Sequence, residues 1–287
     1  MKKQILALLA GFALLLSACG TDVVSSEPTV PSETAAPSEA SFSVYCFQAG
    51  KADAFLLWND QGAVLIDTGE SGFGKTILEK LRAMGIEKLN YLIITHFDKD
   101  HVGGAKKVLT DFPVDTVLQS NCPKEDASAY NNYLEALTAV GLEPVTVRET
   151  QRFTLGDVSF TVDPPAQETY AEDESNNSSL IVTVTHGDNR LLFCGDAENL
   201  RLAEFLTQDP GACVFVKLPH HGNYQKTLKT LLELTHPTWG LITSSQEEPE
   251  EQKTLDLLAE YGVQVLLTRQ SAYLLGSDGK TLTVQPA

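Results

Sequence analysis

The chain has 287 residues, of which 43% are hydrophobic, enough to fill the core of one large domain or two small ones. Its 38 acidic and 21 basic residues give a formal net charge of −17. This charge opposes non-specific binding to nucleic acid and to anionic lipid, so a stable nucleic-acid complex is not expected. A polyanionic substrate would need metal ions or a local basic patch.

Residues 1–18 have the pattern of an export signal. Lys2 and Lys3 precede the apolar run ILALLAGFALLL, and the segment LSAC then ends at Cys19. The apolar run is short for a membrane span, and an uncleaved membrane anchor is the alternative interpretation. The pattern resembles a bacterial lipoprotein signal, which implies cleavage before Cys19 and a lipid on its sulfur. Both interpretations place the rest of the chain outside the cytoplasm.

Residues 19–40 are rich in Ser, Thr, Pro, Glu and Ala and show no apolar periodicity. Such a segment cannot bury enough apolar surface to fold, so it is predicted to be a disordered tether. Residues 41–287 contain no internal repeat and no further low-complexity segment. They are therefore predicted to form a single folded domain.

The predicted elements of this domain fall into two similar halves. Strands FSVYCFQ, AFLLWN and AVLIDTG come first, followed by a helix over 74–84, strand LNYLIIT, a helix opening at Gly103, strand VDTVLQ and a helix over 124–140. The second half has strands VSFTVDP, SSLIVTV and RLLFCGD, a helix over 198–206, strand CVFVKLP, a helix after Gln225, strand TWGLIT and the helix EEQKTLDLLAEYG. This order predicts two sheets packed face to face, with helices on the outer faces.

The segment IITHFDKDHVGG concentrates possible metal ligands at the end of an apolar strand. It contains His96, Asp98, Asp100 and His101 within six positions. A hydrophobic core would not tolerate these side chains unpaired. The segment is therefore either a solvated acidic turn or the floor of a metal site.

Two later strands end in the same way. The segment LLFCGDAE places Asp196 after an apolar run, and VKLPHHGN places His220 and His221 after another. Residues at strand ends converge on one edge of a sandwich. The sequence thus predicts that these residues and the earlier His/Asp cluster surround one cavity, which favours the metal-site interpretation.

Six segments in chain order resemble motifs of the metallo-β-lactamase fold superfamily, and within it those of the ComEC/Rec2-like competence hydrolases. These segments are FQAGKADAFLL, VLIDTG, THFDKDHVGG, NNSSLIVTV, LLFCGD and LPHHG. The resemblance implies an α/β protein with a four-layer αβ/βα sandwich. It also implies a hydrolase with two divalent metal ions.

Carried over by motif, the resemblance implies a ligand set for each ion. The first ion would be held by His96, Asp98 and Asp196, with Asn176, Asn177 or water completing the shell, and the second by Asp100, His101, Asp196 and His220. The superfamily usually has His at the position of Asp98 and a further His in the region that reads ESNNSSL here. Zinc is the first expectation for His/Asp ligands, and the excess of carboxylates makes manganese the alternative.

The remaining candidate residues are expected to act around these ligands. Asp67 is predicted to position the His/Asp loop by hydrogen bonding, and Asp53 to organise the cavity edge. The predicted catalytic residues are Asp100, also a ligand, and His221, as a proton donor or substrate contact, with a structural role for His221 as the alternative. The isolated histidines, His186 and His236, are predicted to lie at the surface.

The resemblance favours a phosphodiesterase, because the competence branch is associated with DNA processing and two metal ions suit in-line displacement at phosphorus. The acidic composition favours a small phosphodiester over long DNA, for example a phosphorylcholine ester, which a related extracellular branch hydrolyses. A β-lactamase is disfavoured because the three-histidine site is absent. The alternative from another class is a non-catalytic, surface-tethered binding protein, which the missing histidine ligand supports.

Overall fold

The computed structural model of the chain describes residues 40–287, so the predicted signal, Cys19 and most of the predicted tether lie outside the described residues. The described strands are β1 Phe42–Cys46, β2 Phe55–Asn59, β3 Gly62–Ile66, β4 Leu89–Ile94, β5 Val114–Gln119, β6 Val145–Thr146, β7 Gln151–Leu155, β8 Val158–Asp163, β9 Ile181–His186, β10 Asn189–Phe193, β11 Phe215–Lys217, β12 Trp239–Ile242, β13 Gln264–Leu267, β14 Tyr273–Ser277 and β15 Leu282–Pro286. The helices are α1 Gly74–Ala83, α2 Lys99–Val102, α3 Ala105–Asp111, α4 Ser128–Val140, α5 Glu174–Asn177, α6 Asn199–Leu206, α7 Leu228–Thr235 and α8 Gln252–Glu260, with a 3-10 turn at Pro219–Gly222.

The strands form two sheets. The first has eight strands in the order β15-β14-β1-β2-β3-β4-β5-β6, and the second has seven in the order β13-β12-β11-β10-β9-β8-β7. Strands β3 to β6 are parallel to one another, as are β10 to β13. The carboxyl ends of neighbouring parallel strands lie at one edge of their sheet, which is where polar loops can converge.

Apolar side chains of both sheets meet in a central core, and each sheet also packs helices on its outer face. In β1, Phe42, Val44 and Cys46 point into the central core, as the alternation of a strand requires. Strand β4 is buried on both faces, because Ile93 faces the other sheet while Leu92 faces the helix layer. These layers confirm the predicted four-layer sandwich.

The helices follow the apolar spacing of the sequence, with some shifted ends. In α1, Ile77, Leu78 and Leu81 are fully buried against the first sheet, as their spacing of three to four predicts. The predicted helix at Gly103 is instead two short helices, α2 and α3, separated by Gly103 and Gly104. A Cβ on Gly104 would lie 2.3 Å from the carbonyl oxygen of Thr68, so this close approach requires glycine.

The structure corrects the prediction for one isolated histidine. His186 is buried, its Nδ1 lies 2.8 Å from Ser277 Oγ, and its ring packs edge-on against Phe42. The alternation of β9 turns this side chain inward, which the polar residue type alone did not indicate. His236 lies exposed at the end of α7. Within residues 40–287, no helix is long and apolar enough to cross a membrane.

Candidate metal centre

The residues of the candidate site lie where five strands end, and all of those named next except Thr243 were predicted from the sequence. Asp67 follows β3, His96 follows β4, Asp196 follows β10, His221 follows β11, and Thr243 follows β12. Asp100 and His101 belong to α2, directly after the β4 loop. Since these strand ends belong to two parallel stretches, one in each sheet, the loops of both sheets meet over one site.

Four of these residues form a group that fits a metal ion. The ligand atoms of Asp100, His101, Asp196 and His221 all lie within 4.8 Å of one another. His101 Nε2 is 3.2 Å from Asp196 Oδ1, and His221 Nε2 is 3.0 Å from Asp196 Oδ2 and 3.2 Å from Asp100 Oδ2. Bonds of 2.0–2.1 Å in a tetrahedral shell separate neighbouring ligands by about 3.3 Å, so these separations suit a small divalent ion.

The protonation of the group also indicates a cation site. Burial lowers the pKa of His101, but the charges of Asp196 and Asp67 outweigh it and hold this pKa well above its usual range. Burial likewise lowers the pKa of His221, and Asp196 and Asp100 outweigh it, so this pKa is also raised. Carboxylate oxygens that face an imidazole nitrogen need a cation between them, and a proton or a metal ion can fill that role.

The two carboxylates of the group are held ionised. Burial raises the pKa of Asp196, but the charges of His221, His101 and Lys217 outweigh it and place this pKa well below its usual range. For Asp100, burial also raises the pKa, but the hydrogen bond from His221 and the charges of His101 and His221 together outweigh burial and hold this pKa below its usual range. Both side chains are therefore available as anionic ligands at neutral pH.

His101 is oriented by Asp67 and Thr95. Asp67 accepts hydrogen bonds from the Thr95 backbone N–H at 2.8 Å and from Thr95 Oγ1 at 2.6 Å, and its Oδ2 lies 2.8 Å from His101 Nδ1. An ionised carboxylate can only accept, so His101 Nδ1 donates and its Nε2 turns toward the group. Asp67 thus lies where it can orient His101.

His96 and Asp98 lie beside the group and make a less complete ligand set. Burial, and then the positive charge of His101, lower the pKa of His96 to about 4, so this ring stays neutral. Its buried Nε2 makes no hydrogen bond to any described residue and lies 4.0 Å from Asp98 Oδ1. Asp98 is already bonded to Lys124 Nζ at 2.6 Å and to Ser175 Oγ. The first predicted metal position therefore has one free nitrogen and one carboxylate shared with two donors.

For the two adjacent histidines, the structure differs from the prediction, which made His220 a metal ligand and His221 a residue beside the ligands. His221 lies in the four-residue group, whereas His220 lies outside it, with Nδ1 2.9 Å from Glu198 Oε1. Both residues have left-handed backbones, with φ of 46° and 53°. Two successive residues in such a tight turn point their side chains in different directions, and the letters HH do not reveal which one faces the site.

The two asparagines also lie outside the four-residue group. Asn176 Nδ2 donates to Glu198 Oε1 at 2.9 Å, so it supports the residue that holds His220. Asn177 is buried, donates to the carbonyl oxygen of Glu172 and accepts from the backbone N–H of Arg201. The hydrogen bonds of Asn177 are those of a structural residue that anchors α5 to α6.

Sequence reasoning missed three polar residues that contact the candidate ligands or their supports. These are Thr95, Lys217 and Thr243, all of which are fully buried. Lys217 carried a visible signal, because it interrupts the apolar strand CVFVKLP. Thr95 and Thr243 gave no comparable signal, since a threonine at a strand end is ordinary.

The comparisons with known proteins agree with this fold. A family model of the metallo-beta-lactamase superfamily matches residues 48–238. The chain therefore belongs to the metallo-beta-lactamase superfamily, as the motif resemblance predicted. The fold is also similar to two solved structures: the metallo-beta-lactamase fold protein YhfI from Bacillus subtilis (TM-score 0.52, 11% identity, covering 79% of this chain and 96% of that one), and Igni18, a metallo hydrolase from Ignicoccus hospitalis (TM-score 0.52, 12% identity, covering 86% and 99%). At these identities the likeness extends to the fold.

Within the superfamily, the chain is similar to competence proteins. It is 28% identical over 247 residues to ComE operon protein 3 of Bacillus subtilis, covering 77% of this chain and 31% of that protein. It is 26% identical over 218 residues to Recombination protein 2 of Haemophilus influenzae, covering 74% and 25%. The chain thus spans a third or less of the length of these two relatives, and the similarity concerns one part of each.

Proposed function

We propose that this chain is a metal-dependent hydrolase of phosphodiesters. The observation that carries the proposal is the group of Asp100, His101, Asp196 and His221, which collects two imidazoles and two carboxylates at the loop edge of a metallo-beta-lactamase sandwich. Asp100 remains 22% exposed, so water and a substrate can reach the group from one side. Zinc is the expected ion for this ligand set, and manganese is the alternative.

The contacts of each site residue indicate its role in metal binding. When bound, divalent ions activate a water molecule for attack and polarise the phosphoryl oxygen. Asp196 contacts His101 through Oδ1 and His221 through Oδ2, so this carboxylate joins the ligands of both sheets. His101 is fixed by Asp67, and the neutral His96 offers Nε2 as a further nitrogen donor.

The charge of the molecule supports a small phosphodiester over long DNA. The net charge of −17 repels a polyanion. Lys124 brings an ammonium group, 42% exposed, to Asp98 at the edge of the site. One such cation can attract a single phosphodiester, including a phosphorylcholine ester, but does not form an extended track for a nucleic-acid backbone.

The proposed activity is tested with the purified protein after loading with zinc or manganese. We expect it to hydrolyse bis(p-nitrophenyl) phosphate, and expect a chelator to abolish this hydrolysis. A phosphorylcholine ester, a DNA oligonucleotide and a β-lactam complete the substrate panel. Hydrolysis of the β-lactam without any phosphodiester would overturn the proposal.

The alternative function is a binding protein that keeps the fold without turnover. It is favoured by the first metal position, where Asp98 is bonded to Lys124 and Ser175 and the segment ESNNSSL offers no histidine. A protein that binds metal stoichiometrically and hydrolyses none of the panel substrates would support this alternative.

We also propose that the chain is anchored to the membrane, outside the cytoplasm, through a lipid on Cys19. The support is the run of two lysines, an apolar segment and LSAC at residues 1–19, which lie outside the described residues. The wild-type protein is expected to incorporate labelled fatty acid in cells, and the Cys19→Ser protein is expected to incorporate none. Equal labelling of both would contradict the anchor.

A further inference from the structure

His221 has a second polar contact on the side away from the metal position. Its Nδ1 lies 2.9 Å from Thr243 Oγ1, and Thr243 Oγ1 donates to Asp53 Oδ1 at 2.7 Å. Because the hydroxyl proton is used on Asp53, the hydroxyl oxygen must accept from His221 Nδ1–H. This arrangement leaves Nε2 of His221 as the nitrogen that faces Asp196 and Asp100.

Asp196 has a comparable contact through Lys217. The Lys217 ammonium is fully buried and lies 2.5 Å from Asp53 Oδ2, 2.9 Å from the carbonyl oxygen of Gly195 and 3.4 Å from Asp196 Oδ1. A lysine ammonium has three donors, and three acceptors surround this one. Lys217 therefore has no donor left for a substrate, and its effect must pass through the carboxylates it holds.

Both sets of contacts end on the carboxylate of Asp53. One oxygen accepts from Thr243 and the other forms an ion pair with the Lys217 ammonium at 2.5 Å, and the side chain is 1% exposed. Asp53 belongs to the turn between β1 and β2 of the first sheet, whereas Lys217 ends β11 of the second sheet and Thr243 directly follows β12 of that sheet. The backbone N–H of Asp53 also donates to the carbonyl oxygen of Asp100 at 3.1 Å.

We propose that Asp53, Lys217 and Thr243 form one positioning unit that aims His221 and Asp196 at a shared metal ion. The unit connects His221 and Asp196, which follow strands of the second sheet, to Asp53 of the first sheet. This inference rests on the metal-binding part of the proposed function and not on hydrolysis. Metal affinity is therefore the measurement that decides it.

The competing explanation is that these residues only stabilise the buried interior. The chain offers a matched control for each contact, away from the four-residue group. Thr235 is a fully buried threonine whose hydroxyl donates to the carbonyl oxygen of Leu231 at 2.6 Å. Asp163 is a buried carboxylate that accepts from the Arg201 guanidinium at 2.8 Å. Variants of these residues remove the same kind of interaction.

The first test compares Thr243→Val with Thr235→Val by titration with zinc and with manganese. We expect Thr243→Val to weaken metal binding about 10–100-fold, the usual effect of removing a partner that orients a metal-binding histidine. Thr235→Val is expected to keep the wild-type affinity, although both variants lose some thermal stability. Equal affinities for the two variants would overturn the role of Thr243.

The second test compares Asp53→Asn with Asp163→Asn in the same titrations. An asparagine at 53 can still accept from Thr243, but its amide group would face the Lys217 ammonium donor to donor, so the contact through Lys217 is lost. We expect weaker metal binding for Asp53→Asn only, by about 10–100-fold. If Asp53→Asn fails to fold, Thr243→Val still decides the proposal. A wild-type protein that binds metal without hydrolysis leaves the positioning unit intact and removes only the phosphodiesterase, whereas one that binds no metal overturns both.

Discussion

The two histidines of the four-residue group are held in different ways. His101 contacts its carboxylate directly, with Nδ1 2.8 Å from Asp67 Oδ2, and both residues follow strands of the first sheet. His221 reaches its carboxylate, Asp53, through the hydroxyl of Thr243, and this chain of contacts crosses from the second sheet to the first. The support of His101, which is Asp67, thus lies within a single sheet. The support of His221, which is Thr243 together with Asp53, forms only when the two sheets are packed together.

This difference indicates that the geometry of the site depends on how the two sheets pack against each other. Asp196, which follows β10 of the second sheet, contacts both histidines and so connects the two supports. A change that separates the sheets slightly would misplace His221 and Asp196 while leaving His101 and Asp67 in order. The predictions below test the two supports by their expected effect on metal affinity.

The largest effect is expected for Asp196→Asn, because this residue belongs to both supports. The neutral amide removes a ligand charge and turns an N–H donor toward one of the two histidines. We expect metal affinity to fall by more than the ~100-fold upper value typical of residues that only orient ligands. Metal titration of the folded variant provides the measurement, with circular dichroism as the check on folding. Near wild-type affinity would show that Asp196 does not join the two supports.

The next largest effect separates the adjacent histidines. His221→Ala removes a ligand of the group, whereas His220→Ala removes the partner of Glu198, so the two variants form a matched pair. We expect His221→Ala to lose more than about 10-fold in metal affinity, and His220→Ala to stay close to wild type. The opposite order would restore the ligand assignment made from the sequence motif.

A pH effect of intermediate size follows from the raised pKa values of His101 and His221. Both pKa values lie above the usual 6.5, so near neutral pH the metal-free rings carry protons that a metal ion must displace. Metal affinity is therefore expected to increase as the pH rises towards these values, by about tenfold per pH unit for each proton released, and to level off above them. Calorimetry in two buffers of different ionisation enthalpy measures the protons released. Metal uptake without proton release near neutral pH would contradict these protonation states.

The smallest effect is expected for Thr95→Val. Thr95 donates to Asp67 from its hydroxyl and also from its backbone N–H, and the variant keeps the backbone bond. Because Asp67 contacts His101 without an intermediary, we expect Thr95→Val to weaken metal binding less than the ~10-fold lower value for residues that contact a ligand directly. Thr243→Val, which removes the hydroxyl that lies between His221 Nδ1 and the Asp53 carboxylate, is its natural comparison. A larger loss for Thr95→Val than for Thr243→Val would reverse the comparison between the supports.

The layers of the fold were readable from local pattern. The spacing of Ile77, Leu78 and Leu81 gave the buried face of α1, and the alternation of Phe42, Val44 and Cys46 gave the inward face of β1. Such patterns are local consequences of helix and strand periodicity. The start of α4, at Ser128 instead of 124, and the division between α2 and α3 were not readable, because they depend on what each turn packs against.

The candidate site was likewise predictable from the sequence only in part. Residue types at strand ends sufficed to gather His96, Asp98, Asp100, His101 and Asp196, since the carboxyl ends of parallel strands must meet at one edge. Which of His220 and His221 faces the site was decided only by a left-handed turn, whose side-chain directions the sequence does not encode locally. Thr243 was likewise identifiable only after the sheets were docked, and Lys217 was visible in the sequence as a lysine in an apolar strand, but its contacts with the site were not. A buried ammonium or hydroxyl is defined by the acceptors around it, and the acceptor that Lys217 and Thr243 share, Asp53, comes from the other sheet, more than 150 positions away along the chain.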